Sequence, residues 1–155
     1  MLYLLLKTIH ILAVVVFIGN ITTGVMWKFH ADRSGDPRLM AHALAGIIRS
    51  DRRFTVPGVI LIVASGVPLA MVGGFPVLGT FWIWTALLLF SISGVLFGVW
   101  VGPAQRNLLQ VAAAPQFDRQ RYDRLSRTWA VSGFGALATP LAALALMVFK
   151  PAGLG

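Results

Sequence analysis

Four stretches of this chain run for about twenty residues or more with almost no charge: roughly residues 3–27, 54–74, 78–102 and 128–149. A helix rises 1.5 Å per residue, so about 20 apolar residues cross a hydrocarbon core about 30 Å thick. Each stretch is long enough, and together they take up about three fifths of the chain. A soluble domain carries about 25% charged residues, whereas this chain has 12%, with 57% hydrophobic. The expected fold class is therefore all-α: one integral membrane domain over residues 1–155, a four-helix up-down-up-down bundle whose main partner is the lipid bilayer.

The net charge of +8 is placed unlike that of a nucleic-acid binder. Eleven of the thirteen Lys and Arg fall in two short segments. Lys28, Arg33, Arg38, Arg49, Arg52 and Arg53 separate the first two spans; Arg106, Arg119, Arg121, Arg124 and Arg127 separate the last two. The positive-inside rule puts both segments in the cytoplasm and the N- and C-termini and the Gly73-Gly74 turn outside, as expected of a multi-pass protein of an inner (cytoplasmic) membrane. The opening apolar run reads as a retained helix rather than a cleaved signal, because its positive charges follow it. There is no cysteine, hence no disulfide and no thiolate ligand.

Asp36-Pro37 is a helix start, a capping carboxylate with proline at the first helical position. Leu39, Met40, Ala43, Leu44, Ile47 and Ile48 recur behind it at helical spacing, opposite Arg38, His42 and Arg49. Residues 36–50 thus form a basic amphipathic helix, either lying on the headgroups or extending span two. Gly94, Gly98 and Gly102, at intervals of four, give span three a bare face for close approach by a helix of the same bundle or of a homodimer or larger complex. Pro140 frees a carbonyl in span four that a neighbour must satisfy.

An ionisable group inside a bilayer is expensive and is a functional candidate by default. Lys7 and His10 fall well within a span, and Tyr3, Lys7 and His10 share one seam of the helix. His10 lies roughly 13 Å from the outer end by helix rise. Its imidazole can bind haem iron or relay a proton, or it can be a structural group bonded to a hydroxyl such as Ser65 or Thr85. His30 and His42 read as interface residues, leaving Met71 or Met147 as weak second ligands. No glutamate is present, and Asp32, Asp36, Asp51, Asp118 and Asp123 all read as cytoplasmic. Paired intramembrane carboxylates and phosphate-binding or zinc-protease motifs are missing from the pattern.

Leu5-Leu6-Lys7-Thr8-Ile9-His10-Ile11-Leu12, Phe54-Thr55-Val56-Pro57-Gly58 and Met147-Val148-Phe149-Lys150-Pro151 resemble a bacterial family of predicted four-helix integral membrane proteins of unassigned function. That family is similar to the copper-resistance D proteins and the J-type protoporphyrinogen oxidases. The resemblance implies haem b, with His10 as axial ligand (the metal-binding residue) and Lys7 and Tyr3 beside it, in electron transfer or haem handling. Suggestive matches extend to His30, Pro140 and Lys150-Pro151. Trp84 and Ala86 stand where the oxidases carry a functional His and Lys, and Ala138 and Thr139 where a glutamate precedes the fourth-helix proline. The resemblance therefore implies a haem-dependent membrane oxidoreductase if the chain is an enzyme, without protoporphyrinogen oxidation. The other readings are a non-enzymatic accessory or assembly subunit, and a small-molecule or copper-related permease.

Overall fold

The computed structural model describes residues 1–151, and among them every regular element is helical. Four helices are long and apolar enough to span a membrane: α1 (Leu2–Ser34), α2 (Pro37–Val72), α3 (Phe81–Ala112) and α4 (Arg119–Phe149). Leu12, Val15, Ile60, Leu88, Val95, Val131 and Phe134 are exposed along them, a lipid-facing surface with no place in water.

The chain is two helical hairpins. α1 packs along the apolar part of α2, and α3 along α4; the hairpins meet mainly where the first half of α2 packs on the last part of α3. This joint lies at the end of the bundle that carries the arginines, here called the basic end. The helices run past the membrane there, since 33 residues of α1 rise about 50 Å against a core of about 30 Å. The overhang has its own core, with Met40, Leu44, Leu108, Val111 and Tyr122 buried together.

Local sequence explains the turns. Gly35 ends α1 in the left-handed conformation (φ 70°), which glycine adopts without cost. Asp36 then caps α2, its carboxylate accepting from the Arg38 N–H at 2.8 Å, with Pro37 in the first turn. Residues 37–50 run on into span two as one helix, with Met40, Leu44 and Ile47 buried against the bundle, so the extension reading is the one realised. At the far end Gly74 (φ 76°) turns the chain, and Phe75 packs edge-on to Trp82 at 5.5 Å.

Two helices widen to i→i+5 bonding for five residues, α2 over Asp51–Thr55 and α3 over Phe97–Val101. Pro57 and Pro103 follow each stretch by two residues, and a proline cannot donate the next i→i−4 bond. The widened turns instead close from the Val56 N–H to the Asp51 carbonyl and from the Gly102 N–H to the Phe97 carbonyl. Each π stretch inserts one residue into the interior seam. In α2 the seam runs Met40, Leu44, Ile47, Asp51, Thr55, Gly58, Ile62, Ser65, with two successive steps of four at the π stretch.

Pro140 behaves as expected: the carbonyl it leaves free, that of Ala136, accepts the Ser93 hydroxyl of α3 at 2.5 Å. As a contact within the bundle, the glycine face of span three is a correction. A Cβ on Gly94 or Gly98 would meet nothing within 4 Å, and Gly102 would meet atoms of its own helix first. Close approach occurs elsewhere, with Gly58 against Phe17, Gly66 against His10 and Gly135 against Leu96.

Candidate functional site

His10 reaches across the first hairpin to α2. Its Nδ1 lies 3.0 Å from the Ile62 carbonyl and 3.2 Å from the Ser65 hydroxyl, which itself donates to the Leu61 carbonyl. A carbonyl only accepts, so Nδ1 carries the proton and Nε2 keeps the lone pair. Gly66 makes room for the ring: a Cβ there would sit 2.8 Å from Cε1 and 3.0 Å from Nδ1. The other members of the expected seam are not drawn in with it. Lys7 is exposed, and Tyr3 is 36% exposed with its ring edge near Gly73. Thr85, the alternative hydroxyl, is buried without a partner, and Met71 is exposed. No three His or Asp side chains approach one another as a metal group among the described residues.

The main polar assembly lies elsewhere, at the joint between the hairpins. Asp51 is 7% exposed, although it reads in sequence as part of a solvated Asp-Arg-Arg run. Oδ1 accepts from the Thr55 hydroxyl at 2.8 Å and the Asn20 amide at 3.3 Å; Oδ2 accepts from the Gln105 amide at 3.0 Å. The Asn20 amide also reaches Thr55 at 2.9 Å, and the Ser50 hydroxyl donates to the Asn20 carbonyl. Three helices therefore converge on one carboxylate. Asn20 lies seven residues, about 10 Å of rise, inside the end of the first apolar run at Trp27. Asp51, which the sequence places in the segment between spans one and two, is buried within the bundle. The widened turn of α2 directs Asp51 and Thr55 inward, while Arg52 and Arg53 remain exposed.

Beside this cluster is a cavity of about 750 Å³, lined by all four helices. Asn20, Ser50, Asp51, Thr55 and Gln105 supply a polar wall; Ile21, Val59, Phe97, Gly133 and Ala136 are among its apolar lining. Phe17 and Phe90, with ring centroids 5.5 Å apart, are the lining residues of α1 and α3 farthest from the basic end. The exposed His30 and His42 line the opposite part. Trp129 lines it too, and its buried indole N–H has no hydrogen-bond partner. An unpaired buried donor is uncommon in a finished core.

A second polar group joins α1 to α4. Lys28, which reads in sequence as a boundary charge, is 1% exposed. Its Nζ donates to Asp32 at 2.5 Å and to the Ser126 hydroxyl at 2.7 Å, and lies 5.3 Å from the Tyr122 ring centroid and 5.1 Å from that of Trp129. The Tyr122 hydroxyl donates to the other Asp32 oxygen at 2.6 Å. Ion pairing and cation–π contact together keep this ammonium satisfied out of water.

The model of a family described as predicted integral membrane protein (DUF2269) matches residues 4–151, and the chain belongs to that family. No curated protein and no solved structure matches it.

Proposed function

We propose that this family member binds a small, mainly apolar molecule within the bilayer, in the cavity between its two hairpins, as a carrier or permease of the membrane in which it sits. The observation that carries this reading is the cavity itself. At about 750 Å³ it falls within the 300–1,000 Å³ typical of small-molecule sites, and it has the usual composition, apolar with a few convergent polar groups. The positive-inside rule would set the cavity in the cytoplasmic half.

The test is photolabelling of the protein in lipid nanodiscs with an uncharged alkyl diazirine, the labelled residues being mapped by mass spectrometry. Label is expected to concentrate on the lining residues. Gly133→Phe should remove it, since Gly133 lines the cavity and a Cβ there would meet nothing within 4 Å. Gly98→Phe, outside the lining, should not. Label spread evenly over lipid-facing residues, unchanged by Gly133→Phe, would overturn the reading.

A second reading is favoured by one observation, the Nδ1 bond of His10 to the Ile62 carbonyl. Metal-ligating histidines are usually held this way, with the other nitrogen free for the metal. His10 would then be the axial ligand of a haem b, whose chemistry is electron transfer, with Lys7 one turn away. The fit is partial: one ligand is oriented, but the large cavity begins at Phe17, about 10 Å further along α1. His10→Ala should abolish a Soret band of the purified protein and Lys7→Ala should weaken or shift it. A wild-type protein without that band after haem-replete expression would exclude this reading and leave the first untouched.

A further inference from the structure

We propose that Asp51 is the cation-recognising end of the cavity, so that the molecule bound there is an apolar body carrying a protonated amine. The inference rests on the cavity reading above and adds the class of ligand. Asp51 is buried, it lines the cavity, and no Lys, Arg or His lies within salt-bridge distance of it among the described residues. Its neighbours in sequence, Arg52 and Arg53, are exposed, and the buried Lys28 is committed to Asp32. The groups that do face it, Asn20, Thr55 and Gln105, are neutral donors.

A carboxylate offers about four acceptor positions, and these contacts fill two on Oδ1 and one on Oδ2. One position stays open, and no cationic side chain faces the carboxylate among the described residues. A buried charge is tolerated when it is paired, and the chain supplies no pair. An ammonium supplies both the missing donor and the missing charge; a carboxylate or phosphate ligand would add like charge, and an alcohol would fill only the acceptor position. The three side chains come from three different helices, so the carboxylate is held in place before a ligand arrives.

The probes are three diazirine amphiphiles with one alkyl chain and different heads: primary ammonium, alcohol and carboxylate. Each is presented to the whole protein in phosphatidylcholine nanodiscs. A charge-assisted hydrogen bond predicts that the ammonium probe half-saturates cavity labelling at about 10- to 100-fold lower concentration than the alcohol. Asp51→Asn should erase that preference while leaving labelling by the alcohol, because both proteins meet the probes in the same bilayer. Gly98→Phe, outside the lining, should retain the preference and so separates loss of the carboxylate from a general disturbance of the bundle. Equal cavity labelling by all three heads, or a preference that survives Asp51→Asn, would overturn the inference and leave the cavity reading standing. Absence of cavity labelling by every probe would overturn both.

Discussion

Gly66→Ala tests whether His10 is held in place by its neighbours. The added Cβ would lie 2.8 Å from His10 Cε1 and 3.0 Å from Nδ1, well inside contact distance. Two relaxations are open. If the ring stays bonded to Ile62, the packing is compressed, which typically costs about 1–3 kcal/mol. If the ring swings away, the Ile62 bond is lost in an apolar setting, at a similar cost of about 1–3 kcal/mol. Either route opposes the gain of about 1 kcal/mol that alanine brings over glycine inside a helix. Gly19→Ala is the matched control: it lies inside α1, and its Cβ meets nothing within 4 Å. The propensity gain cancels between the two variants, so Gly66→Ala should be the less stable by about 1–3 kcal/mol. Thermal unfolding of both proteins in one detergent, followed by circular dichroism, measures that gap. Coincident melting curves would refute the assignment of His10 to this pocket.

The Lys28 assembly predicts strong coupling. Lys28→Met should destabilise by about 1–3 kcal/mol, less than the 3–5 kcal/mol for a fully buried pair because Asp32 is partly exposed and keeps Tyr122. Lys28→Met combined with Asp32→Asn should cost clearly less than the two singles added, which a double-mutant cycle of melting curves reads directly. Gly98→Leu should leave the melting of the monomer unchanged, since its Cβ points into open space; a change in oligomer size by light scattering would identify that face as a subunit contact. Cysteines placed at Ser34 and Gln116 should resist an impermeant thiol reagent in intact cells while one at Gly74 reacts, and the reverse pattern would invert the orientation drawn from the positive-inside rule.

How much was legible in the sequence depends on which force acts. The spans, the Asp36-Pro37 start and the freed carbonyl below Pro140 follow from local chemistry, and the structure contains all three. Which way a membrane helix faces is harder, because lipid and protein interior are equally apolar and hydropathy cannot separate them. Gly94 and Gly98 show this: their spacing is right for a helix contact, yet the contact falls at Gly135 and Leu96. Lys28 shows the converse. It reads as a charge marking the end of a span, but the overhanging helices bring Asp32, Tyr122, Ser126 and Trp129 around it, residues as much as a hundred positions away.

Asp51 combines both difficulties and has a local signal nonetheless. Continued at the usual alternation of four and three, the seam through Met40, Leu44 and Ile47 would pass Asp51 and then reach Phe54, leaving Thr55 off the interior face. Pro57 removes the backbone donor that would hold that register, the turn widens by one residue, and Thr55 comes under Asp51 with a 2.8 Å bond to its carboxylate. Pro103 does the same in α3, where the step from Phe97 to Val101 carries the seam on to place Gln105 against the other carboxylate oxygen. Two prolines, each two residues beyond a widened turn, thus bring together polar groups that lie 54 residues apart. π-type turns are frequent at functional sites, each giving up regular helix bonding locally. A paired occurrence on facing helices, around one buried carboxylate with no cationic partner among the described residues, fits a site for a ligand better than a site for packing.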